Sequence, residues 1–182
     1  MRILIAEDDR TSRLVLERTI TRLGYELSSA EDGEEALSLF HRDRPQVVIT
    51  DWMMPRLDGL ELCRRIREET IHDRYTYLIV LTALGGKQNY LEAMDAGTDD
   101  FITKPFDTDE LVTRLRVAER IVGMEQAMSQ LESMLGCCPD CRRVPGKDGK
   151  WLTLRQLAAM PVAADRPAAR CPGCRKAEAK RA

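Results

Sequence analysis

Along the first 120 residues the apolar positions follow two alternating rhythms. Strand-like runs cover Ile3–Ala6, Tyr25–Ala30, Val47–Thr50, Tyr77–Thr82 and Asp99–Thr103. Between them apolar residues return every third or fourth position, over Thr11–Leu23, Glu34–Phe40, Gly59–Glu68 and Lys87–Ala96, with a fifth such stretch from Asp109 onward. Short runs read as strands and the 3.6-residue rhythm as amphipathic helices. The runs Ile3–Ala6, Val47–Thr50 and Leu78–Thr82 are almost wholly apolar, as suits central strands covered on both faces. The alternation predicts an α/β domain on a five-stranded, parallel, doubly wound sheet.

Open sheets of this kind place their sites outside the carboxyl ends of the strands. Glu7, Asp8 and Asp9 follow the first run and Asp51 the third; the fourth ends in Thr82, and Lys104 and Pro105 follow the fifth. Singly, each has a plain explanation: an acid after a strand closes a turn or caps a helix, threonine favours strands, and a lysine is a solvated charge. Jointly, they bring acids, a hydroxyl and an amine to one edge. A hard cation such as Mg2+ takes carboxylate oxygens and water. A carboxylate beside it can attack a phosphoryl group and become an aspartyl phosphate. Hydroxyl and ammonium groups can then hold the phosphoryl oxygens.

The stretches "ILIAEDD", "VVITDWMMPRLDGLELCRRIR", "LIVLTA" and "AGTDDFITKPF" together resemble the receiver domain of bacterial response regulators, with the CheY-like fold, over about residues 1–120. The resemblance implies Asp51 as the phosphorylated aspartate. It implies Glu7 and Asp8 as an acidic pair, with Asp8 the more direct Mg2+ ligand, Asp9 outside the metal shell and the backbone carbonyl of Met53 as a further ligand. Thr82 becomes the switch hydroxyl and Lys104 its partner. Pro105 matches a proline that family members often hold in a cis peptide. Phe101 stands where the family has an aromatic that turns inward on activation. Phosphorylation adds about −1.5 to −2 charge units to a small pocket. Contacts that Thr82 and Lys104 gain only in that state would shift the population of the Lys87–Leu115 face.

The last helix runs on through "DELVTRLRVAERIVGMEQAMSQLESML" without proline. Leu111, Leu115, Ala118 and Val122 form a stripe suited to packing on the receiver. Ile121, Met124, Met128, Leu131 and Leu135 are spaced 3, 4, 3, 4, an a/d seam. Residues 121–136 therefore read as a helical coiled-coil connector of a homodimer, in preference to a helix folded back on its own domain.

Composition changes the picture at the C-terminal end. Of the 182 residues, 28 are Lys or Arg and 30 Asp or Glu. From Cys137 onward there are eleven basic against four acidic residues, and before it 17 against 26. The net charge of −2 thus conceals a region at −9 and a tail at +7, which suggests two units with different partners. No run approaches the ~18 apolar residues of a membrane span, and the acidic start is not that of a signal peptide. We expect a cytoplasmic protein. In a reducing compartment, paired cysteines serve metal or redox sites more often than disulfides.

Cys138-x-x-Cys141 and Cys171-x-x-Cys174 are separated by 29 residues, each with proline after its first cysteine. Neither pair opens a helix in a βαβ setting, as a redox CxxC does. Four thiolates make a closed, structural Zn2+ site, and the tail, with few large apolar residues, needs such a staple. Residues 137–182 are accordingly read as a basic four-cysteine zinc-knuckle module, with Cys137 as a spare thiol and Cys63 as a core residue. The tail also resembles a cysteine module found at the C-terminus of some bacterial receiver and sensor proteins, through Cys138, Cys141, Arg142, Arg143, Val144, Gly149 and Trp151.

The expected function is that of a response regulator in a two-component phosphorelay. Its phosphoryl donor would be a sensor histidine kinase or phosphotransfer protein, and it would catalyse only its own phosphorylation and dephosphorylation. Its output would be dimerisation or the docking of a protein partner through the tail. Two other readings are a relay shuttle without output and a nucleic-acid-binding regulator using the basic tail. Trp151 alone is available there for base stacking, so a protein partner is preferred.

Overall fold

The computed structural model describes residues 1–70, 75–83, 86–134, 136–138, 141–146, 149–154 and 156. Leu135, Cys171 and Cys174, which carry expectations above, lie outside the described residues. The chain divides into two compact units, Met1–Gly123 and Met124–Ala182.

Along the chain the order is β1 (Arg2–Ala6), α1 (Arg10–Arg22), β2 (Glu26–Ala30), α2 (Gly33–Asp43), β3 (Val47–Asp51), α3 (Gly59–Thr70), β4 (Tyr77–Thr82), α4 (Lys87–Asp95) and β5 (Asp100–Thr103), all in the first unit, and then α5 (Thr108–Met134), of which the first unit holds the part up to Gly123. The sheet is parallel, in the order β2-β1-β3-β4-β5. The five-stranded α/β expectation holds, with element ends displaced by at most three residues. The displacements have local causes. Asp9 is not in α1 but caps it, its carboxylate accepting from the Ser12 N–H at 2.7 Å. Asp32 caps α2 in the same way through the N–H groups of Glu34 and Glu35. Such caps satisfy donors that the first helical turn leaves open. Gly123 does not interrupt α5.

Side chains alternate across each strand, so the sheet feeds two cores. Leu4, Ala6, Val48, Leu78 and Val80 face α2, α3 and α4 through Phe40, Leu62, Ile66 and Ala93. Ile3, Ile5, Val47, Ile49, Ile79 and Leu81 face α1 and α5 through Leu16, Ile20, Leu111, Leu115, Ala118 and Val122. Both sides of the central strands are dry, which explains their unbroken apolar sequence. Cys63 lies in the first core, and burial holds its thiol pKa up at about 12. That makes it inert packing, as expected.

In the second unit α5 ends at Met134 and the chain turns back. The Cys137 N–H donates to the Glu132 carbonyl at 3.0 Å. A tight turn follows, in which Arg142 N–H donates to the Cys138 carbonyl at 2.9 Å and Cys138 N–H to the Arg143 carbonyl at 2.8 Å. Arg142 takes a positive φ there. A small antiparallel hairpin comes next, β6 (Val144–Pro145) with β7 (Trp151–Leu152). Thr153 and Gln156 then cap each other's backbone reciprocally, the capping-box arrangement. Cys138 is buried and Cys141 exposed.

Candidate functional site: an acidic pocket at the carboxyl edge

β1 and β3 are neighbours in the sheet, and their chains leave it in different directions. The crevice at this reversal is where doubly wound sheets bind ligands. β1 delivers Glu7 and Asp8 to it, and β3 ends on Asp51. Carboxylate oxygens of Glu7, Asp8 and Asp51 all lie within 4.8 Å of one another. β5 supplies Lys104, whose Nζ donates to Glu7 Oε2 at 2.7 Å and faces Asp51 Oδ2 at 3.1 Å. Thr82, the last residue of β4, is buried at the same edge, one position beyond the residue paired with Asp51.

Charge in this pocket is not balanced. Three carboxylates against one ammonium leave two negative charges, the complement of one divalent cation. Burial raises the Glu7 pKa above the ordinary carboxylate range; Lys104 pulls it down and Asp51 adds to the rise. Burial likewise raises that of Asp51, against the pull of Lys104. Burial works against the Lys104 ammonium too, but its bonds to Glu7 and Asp51 outweigh it and its pKa is raised. Glu7 Oε1 is buried and finds no hydrogen-bond partner among the described residues. A buried acceptor of this kind is costly unless something donates to it or coordinates it. Hard oxygen donors, clustered and under-compensated, fit Mg2+ with part of its water shell.

The segment from β3 to α3 is held tightly around Asp51. Trp52 N–H donates to Asp51 Oδ1 at 2.8 Å and Gly59 N–H to the Trp52 carbonyl at 2.8 Å. A Cβ at Gly59 would collide with the Asp51 carbonyl and come within 2.9 Å of Thr50 Oγ1, so the start of α3 can approach β3 only with glycine there. Arg56 takes a positive φ and forms an ion pair with the buried Asp32. Met53, two residues after Asp51, is exposed. On the far side, Phe101 stacks edge-on against Trp52 and Tyr90, with ring centres 6.3 and 6.0 Å apart. The Lys104–Pro105 peptide is cis.

The structure therefore gathers Glu7, Asp8, Asp51, Thr82 and Lys104 at one edge, with Phe101 in the neighbouring aromatic row. Three supporting contacts were not anticipated. Arg13, on α1, donates to the carbonyls of Glu7 at 2.7 Å and Asp8 at 3.3 Å, and pairs with Glu31 at 2.6 Å. The Asp32–Arg56 pair and the Trp52 N–H are the other two. In sequence Arg13 is one of several arginines in an amphipathic helix, and nothing in its spacing sets it apart.

A sheet in the order 2-1-3-4-5 with an acidic crevice between its first and third strands defines a doubly wound α/β protein with a carboxylate-lined, cation-compatible site. The response regulator receiver domain family matches over residues 3–116, and the chain belongs to this family. Among curated relatives, response regulator MprA of Mycobacterium leprae is 40% identical over 157 residues, spanning 85% of this chain and 67% of the relative. MprA of Mycolicibacterium vanbaalenii is 45% identical over 120 residues, 66% of this chain and 51% of the relative. The probable transcriptional regulator ycf27 of Guillardia theta is 42% identical over 119 residues, 65% and 45% respectively. This chain spans about half the length of the latter two relatives. Among solved structures, the Francisella response regulator 1452 receiver domain aligns with a TM-score of 0.61 at 35% identity, covering 65% of this chain and 96% of that one. The BeF3-activated RstA receiver domain of Klebsiella pneumoniae aligns with a TM-score of 0.60 at 25% identity, covering 65% and 97%. No helix among the described residues is long and apolar enough to cross a membrane.

Proposed function

We propose that the chain is a response regulator of a two-component phosphorelay, phosphorylated on Asp51. The observation that carries this is the pocket itself: Asp51 in reach of one ammonium and two further carboxylates, at the crevice of the sheet. An Asp51 oxygen attacks the phosphorus of a phosphohistidine on a sensor kinase or phosphotransfer protein. The new P–O bond forms as the P–N bond breaks, and the imidazole leaves with the electron pair. Glu7, Asp8, Asp51 and the Met53 carbonyl would hold Mg2+, which when bound would supply neutralising charge to the phosphoryl oxygens. Lys104 turns from Asp51 to the incoming phosphoryl group. Thr82 donates its hydroxyl to the same group, and Phe101 turns inward. The chain acts on no substrate beyond its own aspartyl phosphate.

The test is incubation with acetyl phosphate and Mg2+, read by intact mass. Wild type is expected to gain one phosphoryl group, and Asp51→Asn none. Equal labelling of Asp51→Asn would remove the assignment. Mg2+ is also expected to change the emission of Trp52, the neighbour of Asp51.

Cys138, Cys141, Cys171 and Cys174 are proposed as ligands of one structural Zn2+, with Cys137 spare. The buried Cys138 in a tight turn that leads into a hairpin supports this reading, because such turns aim backbone N–H groups at thiolates. Elemental analysis is expected to find one zinc per chain, and the Cys171→Ser, Cys174→Ser double variant is expected to lose it. Zinc-free wild-type protein, or a double variant that retains the metal, would discard the proposal. Output runs through dimerisation and a protein partner docked on the tail. The tail's charge of +7 favours nucleic acid as the second reading, which a pull-down repeated with nuclease separates from the first.

A further inference from the structure

The turn between β2 and α2 contributes no carboxylate to the pocket, yet two consecutive residues of it each hold an arginine. Glu31 pairs with Arg13, which braces the carbonyls of Glu7 and Asp8. Asp32 pairs with Arg56, in the loop between Asp51 and α3. The segments that leave β1 and β3 at the pocket are thus fastened to one turn. The second fastening is the stronger. Glu31 is exposed, so solvent screens its pair. Asp32 is fully buried. Its Oδ1 accepts from the N–H groups of Glu34 and Glu35, and its Oδ2 faces the Arg56 guanidinium. A buried charge is costly unless it is paired, so Asp32 holds Arg56 in place.

The loop needs that hold. Leu57 N–H donates to the Pro55 carbonyl at 2.8 Å, closing a three-residue turn, and Arg56 at its centre has a φ of 67°. That is the disfavoured hand for a residue with a side chain. Glycine would adopt it without strain; arginine adopts it with a buried counter-charge in reach. Gly33, next to Asp32, lets the turn close on the loop, because a Cβ there would strike the Leu57 carbonyl. We propose that Asp32 and Arg56 are positioning residues of the carboxylate pocket. Their ion pair sets the path of residues 53–57, and with it the Met53 carbonyl, for a divalent cation. The inference rests on the Mg2+ reading of the pocket and adds to it two residues outside the proposed ligand set.

The test is titration of the full chain with Mg2+ alone, followed by calorimetry and by Trp52 emission, beside urea unfolding. Asp32→Asn keeps an acceptor for the α2 cap but removes the charge. Arg56→Gly suits the positive φ, so the variant folds while the loop loses its anchor. Each is expected to weaken Mg2+ binding about 3- to 10-fold. The double variant is expected within about 2-fold of the weaker-binding single, because the two residues act as a unit. Arg56→Lys, which keeps the charge, is expected to bind Mg2+ more tightly than Arg56→Gly. A purely architectural pair would shift the urea midpoints and leave Mg2+ affinity alone. Either single variant binding within about 2-fold of wild type would therefore overturn the inference, as would losses that add in full in the double variant. A wild-type chain that takes up no Mg2+ would discard the metal reading itself, and the inference with it.

Discussion

At the carboxyl edge of the sheet three carboxylates share one ammonium; at the amino edge one carboxylate collects three donors. Asp99, just before β5, accepts from the Leu78 N–H at 2.8 Å, from the Arg67 guanidinium and from the Tyr75 hydroxyl. Arg67 also donates to the Gly97 and Thr76 carbonyls at 2.6 Å each and lies over the Tyr75 ring. Arg67, Tyr75 and Asp99 all have partners there, so α3, β4 and the start of β5 are locked together. The carboxyl edge instead keeps a Glu7 oxygen without a partner among the described residues, and surplus negative charge. The same residue types thus serve opposite ends. A satisfied network resists change, and an under-satisfied one keeps the capacity to take a further partner.

The widest separation between the edges is expected from Asp51→Asn and Asp99→Ala. The first abolishes phosphoryl uptake without loss of stability, and with a gain of roughly 1 kcal/mol if relief of like-charge crowding dominates. The second costs about 2–4 kcal/mol by leaving Arg67 and the Leu78 N–H without their acceptor, and the folded variant still takes up one phosphoryl group. Urea unfolding beside intact-mass labelling reads both, and a reversed pattern would break the comparison.

Arg13 sharpens it from within the pocket. It braces the Glu7 and Asp8 carbonyls without touching their carboxylates, so Arg13→Met is expected to weaken Mg2+ binding about 10-fold while the urea midpoint moves little. Arg13→Lys should retain most of the affinity. Trp52 emission against Mg2+ concentration measures this.

The smallest effect lies at high pH. Burial, with the nearby Asp100 and Asp99 charges, raises the Tyr77 pKa to about 12. Because the folded-state value lies above the unfolded one, its contribution is complete below about pH 10. It is lost as pH rises through 12. Urea midpoints of wild type are expected to fall over that window, and those of Tyr77→Phe to fall less.

The strand and helix pattern was readable because burial on both faces of a parallel sheet leaves unbroken apolar runs. Asp51, Glu7 and Lys104 were readable because strand ends are sites in such folds and the motifs around them are distinctive. Asp99 was not. It reads as the first residue of β5, but its side chain reaches Leu78 and Arg67, 21 and 32 positions away, and sequence spacing carries no trace of that. Arg13 and the Asp32–Arg56 pair escaped for the same reason, since a charged residue on a helix or in a loop looks solvated until its long-range neighbour is known.

The linear order of residues by itself determined the layered fold, the set of groups at the carboxyl edge and the heptad spacing beyond Val122, because periodicity and strand-end position are local properties. Only the tertiary structure decided which carboxylates are compensated, that Glu7 keeps a buried oxygen without a partner among the described residues, and which α5 stripe is spent on the receiver core. Those outcomes depend on distances between segments far apart in the chain, and electrostatic and packing energies follow distance in space.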